Sequence, residues 1–71
     1  MRFKITFIWD EGMWYTKCEE LGLTLESGSF DALVERVKIA VPEMAELNLG
    51  YKGEIQLDFA VERSEKLRML A

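Results

Sequence analysis

The side chains that could do chemistry here are few. Two-metal hydrolysis needs several carboxylates converging on one point. Asp10, at the end of a strand-like run, and Asp58, inside another, are two such groups, but a third convergent carboxylate is not evident. Asp10 also stands in a turn motif that explains its residue type without catalysis. Cys18 is the single cysteine, and the chain has no histidine to activate it. A small buried or edge residue is the simpler reading of that thiol. The same count excludes a Cys/His zinc site and an internal disulfide. No base, nucleophile or ligand set emerges, so a non-enzymatic protein without metal or cofactor is expected.

The remaining candidates are recognition groups. Trp9 and Trp14 could stack nucleic-acid bases, but no basic surround accompanies them. Thirteen Asp and Glu against nine Lys and Arg give a net charge of −4, the wrong sign for displacing phosphate counterions. Direct nucleic-acid binding is therefore not expected, and core or dimer packing suits the tryptophans better. Glu35, Glu43 and Glu46 share one side of a predicted helix, and Glu19 and Glu20 occupy a predicted loop. Together they could present an acidic face to a basic partner protein; the plainer reading is a solvated flank.

The elements that must position these residues follow from periodicity. Residues 2–9, RFKITFIW, place Phe3, Ile5, Phe7 and Trp9 on one side and Arg2, Lys4 and Thr6 on the other, a half-buried strand. Asp10-Glu11-Gly12 is a hairpin turn, and MWYTKC at 13–18 the return strand. EELG at 19–22 reads as a loop and LTLE at 23–26 as a third short strand. Ser29 is a plausible N-cap with Asp31 in the first turn behind it. Phe30, Leu33, Val37, Val41 and Met44 then recur at spacings of three and four, with Val34 and Ala40 widening the stripe. Glu35 and Lys38 can pair on the wet side. Pro42 interrupts this helix; the stripe continues in phase through Leu47, which favours one kinked helix over two. Asn48-Leu49-Gly50 closes it. GEIQLDFAVE at 53–62 alternates again and is the last strand.

The order β-β-β-α-β makes an α+β fold: a two-layer sandwich of one helix on one face of a mainly antiparallel sheet. A crossover through the helix brings strand four back beside strand one and parallel to it, giving the order 3-2-1-4 with a right-handed connection. The second sheet face has no cover in this chain. Ile8, Trp14 and Tyr15 are candidates to show there. Exposed aromatics on that face, or an open edge of strand four, would suit dimerisation. A chain of 71 residues hides only about 60% of its unfolded surface, so a homodimer is the expected way to gain buried area. The tail SEKLRMLA, with Leu67, Met69 and Leu70, reads as a frayed helical turn or a surface covered by a second subunit. No apolar run reaches the ~20 residues of a membrane helix. The first residues alternate like a strand and offer no small-residue cleavage site, so a cytoplasmic protein is expected.

Residues 9–48 resemble the HicB-like antitoxin superfamily, in particular its short single-domain bacterial branch. The resemblance rests on Trp9-Asp10 at the hairpin, Trp14, Gly22-Leu23, Glu26, the helix opening SFDALVERV and Val41-Pro42-Glu43. The loop EELGL departs from the common pattern in lacking a proline. The resemblance implies a partial ribonuclease-H-like fold, a dimer, and a protein that binds and blocks a small basic RNA-cleaving toxin. DNA binding, which relatives carry on an added segment, is not expected, since no helix-turn-helix or basic strand is present. The rival expectation is a stand-alone structural or regulatory protein with no toxin, and a distant third is a degenerate nuclease.

Overall fold

The computed structural model describes residues 1–68. Strand β1 (Arg2–Asp10) and strand β2 (Met13–Cys18) form the hairpin. A 3₁₀ turn (Glu19–Leu21) leads to β3 (Leu23–Ser27), helix α1 (Phe30–Leu49) follows, and β4 (Gln56–Glu62) completes the sheet. The strand order is β3-β2-β1-β4. β1 pairs antiparallel with β2 and parallel with β4, and β2 pairs antiparallel with β3. This is the expected two-layer α+β arrangement.

Local chemistry explains each boundary. The hairpin loop has two residues, because Asp10 pairs with Met13. Glu11 at φ 49 and Gly12 at φ 80 are both left-handed, as a two-residue turn matching the sheet twist requires. The turn thus places Glu11, not Asp10, in the conformation that disfavours ordinary side chains. Residues 19–21 wind into a 3₁₀ turn instead of a plain loop, closed by Gly22 at φ 64. That turn drives Leu21 to full burial.

The Ser29 hydroxyl accepts the Ala32 amide at 3.2 Å, capping α1 as its sequence suggests. The helix runs unbroken through Pro42 to Gly50, whose φ of 63 lets its amide and that of Tyr51 reach back to Glu46 and Ala45. The Glu35–Lys38 pair forms at 3.2 Å on the exposed side. β4 begins three residues later than alternation suggests. Its first rung is the Gln56 amide donating to Met1 O at 2.8 Å. The Tyr51 hydroxyl donates to Glu54 O at 2.7 Å and holds the preceding residues in a non-strand path. Residues 63–68 are exposed and carry no regular structure; Met69 and Leu70, the other apolar members of the tail, lie outside the described residues.

The core is one layer. Phe3, Ile5 and Phe7 of β1, Cys18 of β2 and Leu23 of β3 meet Leu33, Val37, Val41 and Ala45 of α1. The buried line on the helix ends on Ala45, with Leu47 79% exposed, so the stripe does not continue to Leu47 as its spacing suggested. The buried residues recur every four positions, so the line drifts around the helix away from Leu47. Asn48 donates to Leu21 O at 2.9 Å, which ties this end of the helix to the turn; Leu47, two residues from buried Ala45, falls on the opposite side of the helix. Thr16 is the one buried polar side chain among the described residues, and its hydroxyl is satisfied by Thr6 O at 3.1 Å.

An aromatic chain links the layers. Trp9 and Trp14 are 5.1 Å apart, Trp14 and Phe30 4.9 Å, Phe30 and Phe7 5.0 Å, and Phe7 and Phe59 5.2 Å, all tilted or edge-on. Such pairs add roughly 0.5–1.5 kcal/mol each beyond area burial. Phe7 touches both Phe30 and Phe59 and is fully buried.

Two outcomes follow. Truncating Phe7 to alanine will cost about 3–5 kcal/mol, most of what a domain this small possesses, so F7A will be largely unfolded by circular dichroism at room temperature. Glu11→Asn, by relieving the left-handed penalty in a turn that favours Asn-Gly, will raise the urea midpoint by an amount equivalent to about 0.5–1 kcal/mol.

Candidate functional site

The two sheet faces differ sharply. Odd-numbered β1 residues face the helix. The two-residue turn sets Trp9 opposite Trp14 and Phe7 opposite Thr16, so Trp14, Thr16 and Cys18 face the helix too. Trp14 therefore packs between Trp9 and Phe30, away from the open face for which its sequence position made it a candidate. Ile8 and Tyr15 do lie on the open face, directly opposite each other and half-buried. Their neighbours there are charged. Arg2 pairs with Asp58 at 2.9 Å, and a shallow depression nearby is lined by Lys4, Lys17, Glu19, Glu20 and Glu62 with Thr6 and Ile8. The open face is thus a mixed-charge surface with two apolar side chains at its centre.

The candidate carboxylates do not form a metal centre. In the parallel register Asp58 stands beside Lys4, six residues along β1 from Asp10, about 20 Å at strand rise. Among the described residues no three His, Cys, Asp or Glu side chains group as a metal site would require. Cys18 is 2% exposed in the core. No helix among the described residues is long and apolar enough to cross a membrane.

The five candidate glutamates fall into two places. Glu19 and Glu20 follow β2 and border the open sheet face, with Glu19 held by Lys17 at 3.2 Å. Glu35, Glu43 and Glu46 lie on the solvent side of α1. Residues four apart on a helix lie nearly above one another, so Glu35, Ile39, Glu43 and Leu47 form one ridge, with Glu46 beside it. That ridge alternates acid and hydrocarbon. Ile39 is 65% exposed and Leu47 79%. Glu43, Glu46 and Leu47 line one shallow depression, and Ile39 with Ala40, Arg36 and Glu43 lines a second against Leu25 of β3. The Arg36 guanidinium donates to Glu26 O at 2.8 Å and fixes that flank to the sheet.

Glu35 pairs with Lys38 and Glu46 with Lys52, both at 3.2 Å and both exposed. Exposed pairs of this kind contribute at most about 1 kcal/mol, so a stronger cationic partner can displace them. Ile39 is the residue sequence periodicity missed. It falls on the polar side of the stripe, and the available signal was an isoleucine four residues from Glu35 and four from Glu43 on a face otherwise polar.

A family model described as a domain of unknown function, DUF1902, matches residues 2–71. None of the curated proteins matches the sequence. Among solved structures, the crystal structure of hypothetical protein TTHA1013 from the extremely thermophilic bacterium Thermus thermophilus is similar. It shares 25% identity with a TM-score of 0.67, over 97% of this chain and 100% of that one.

Burial of Cys18 has a direct readout. The thiol will react with an aromatic disulfide reagent at least a hundredfold more slowly in buffer than in denaturant; equal rates would place it at the surface.

Proposed function

The chain belongs to the DUF1902 family, and from that premise we propose that it is a non-catalytic protein-binding module that masks a small basic partner, as HicB-like antitoxins mask a basic RNA-cleaving toxin. The observation that carries this reading is the α1 ridge, where exposed Ile39 and Leu47 alternate with Glu35 and Glu43 and flank Glu46. Hydrocarbon between carboxylates suits a cationic partner surface that also has apolar contact to offer. The apolar side chains supply contact area, and the acids speed encounter and set the partner's charge sign.

The resemblance of residues 9–48 to HicB-like antitoxins supplies the partner class, a small basic ribonuclease. The ribonuclease-H-like description of the fold belongs to the same resemblance. In this reading the domain acts by occlusion: it covers the toxin's cationic RNA-binding surface with its own acids and performs no bond-breaking step. Glu19 and Glu20 stand apart from the ridge and take no part in the proposed contact.

The test is inhibition of a defined activity. Small basic proteins that co-purify with the chain are isolated and assayed for RNA cleavage with and without it. The wild-type chain will suppress cleavage at equimolar ratio. The double variant Glu43→Lys, Glu46→Lys will weaken capture at least tenfold, equivalent to about 1.4 kcal/mol, while its circular dichroism and melting curve stay like those of the wild type. Unchanged capture by the folded double variant would remove the ridge from the interface. Absence of any RNA-cleaving partner would favour a stand-alone structural role.

A further inference from the structure

The sheet has two edges, and the helix treats them differently. α1 packs on β3, β2 and the 3₁₀ turn, and β4 lies at its margin with Phe59 and Val61 exposed. At the other edge, β3 runs along the foot of the helix. The depression lined by Leu25, Arg36, Ile39, Ala40 and Glu43 borders that edge, because β3 has no neighbour beyond it.

The hairpin register fixes which backbone groups of β3 point outward. A two-residue loop makes its flanking pair, Asp10 and Met13, exchange hydrogen bonds, and such pairs alternate along an antiparallel ladder. Ile8 with Tyr15 and Thr6 with Lys17 are the next bonded pairs. Trp14, Thr16 and Cys18 therefore turn their backbone groups toward β3, where Ser27, Leu25 and Leu23 stand opposite them. Thr24 and Glu26 are left with amide and carbonyl directed to the open edge. Arg36 agrees with this parity: its guanidinium donates to the Glu26 carbonyl at 2.8 Å from outside the ladder. A carbonyl oxygen accepts two bonds, so that contact leaves room for another.

We propose that the β3 edge receives an extended cationic segment of the basic partner protein as a further strand, antiparallel to β3. This rests on the reading of α1 as the face for a basic protein and adds how that protein docks. Strand addition supplies main-chain hydrogen bonds and sorts side chains by face. An incoming residue opposite Leu25 falls on the helix side, against Leu25, Ile39 and Ala40 with Glu43 at the rim. Its two neighbours along the segment fall on the open face, opposite Thr24 and Glu26. Glu26 is exposed there, and opposite charges across paired strands are stabilising. The segment that fits therefore alternates, apolar toward the helix and basic toward the open face. A net charge of −4 favours such a segment at this edge over another copy of the chain.

Amide hydrogen exchange of the full chain, followed by nuclear magnetic resonance, tests this with a short capped peptide of alternating lysine and valine as the probe. In the free chain the Thr24 and Glu26 amides will exchange quickly, as unpaired amides do. Saturating peptide will slow both by roughly tenfold or more and leave Leu57, Phe59 and Val61, on the other edge, unchanged. Glu26→Lys, at an exposed position, will keep the fold and weaken peptide binding about fivefold. A peptide with its lysines and valines in separate blocks will bind more weakly, since it cannot sort the two by face. Binding that protects neither amide, or no binding at all, overturns strand addition. The ridge reading then stands or falls separately, on whether Glu43→Lys, Glu46→Lys loses the basic partner. Thr24 and Glu26 amides already protected in the free chain would give the edge to a second copy and also overturn the proposal.

Discussion

One helix is too narrow for this sheet. An α-helix with its side chains is about 10–12 Å across, while four strands spaced by about 4.8 Å span roughly 14 Å between their outer axes. Something must be left uncovered. Two bonds decide what: Asn48 binds Leu21 O of the 3₁₀ turn near the helix's last residue, and Arg36 binds Glu26 O of β3 two turns into it, so the helix is tied to the β2–β3 side. β4 is then the strand left at the margin. Two surfaces are left open by this placement, one on the outer side of the helix and one along the strand it does not reach.

The aromatic chain offsets part of that asymmetry. Phe30 is the first residue of the helix, immediately after the Ser29 cap, and it joins Trp14 of β2 to Phe7 of β1. Phe7 in turn holds Phe59 of the marginal strand. Beyond β4, the Arg63 guanidinium sits 5.1 Å from the centre of the Trp9 ring, a contact of cation and aromatic face that directs the chain as it leaves β4. Capping, helix entry and strand docking therefore meet in one cluster, with little polar chemistry inside it.

Most of the architecture was legible because it is written in period. Phe3, Ile5 and Phe7 alternate, Leu33, Val37 and Val41 recur by four, and Ser29 precedes the first turn; each signal is local. Trp14 was misplaced because its side was judged from aromatic content, although a two-residue turn already sets it across from Trp9. Two features at the far end of the helix were not legible: the winding of residues 19–21 that buries Leu21, and the step of four in the buried line, ending on Ala45, that leaves Leu47 outside; the contact that joins them, Asn48 with Leu21, spans 27 positions. The exposure of Phe59 and Val61 could not be read at all. Their alternation marks a strand, but which strand the helix neglects is a tertiary fact. The acidic residues of α1 were legible as a group, whereas the open Ile39 among them was not, because it falls outside the apolar stripe.

The parallel pairing of β1 with β4, from Arg2 with Gln56 to Ile8 with Glu62, has a consequence for how the chain is made. The hairpin closes across two residues, but this ladder closes across more than fifty, at an entropic cost of about 3.5 kcal/mol before other terms. On the ribosome, β1 emerges well before its parallel neighbour. β1 thus waits with one flank open until β4 has followed it out of the exit tunnel.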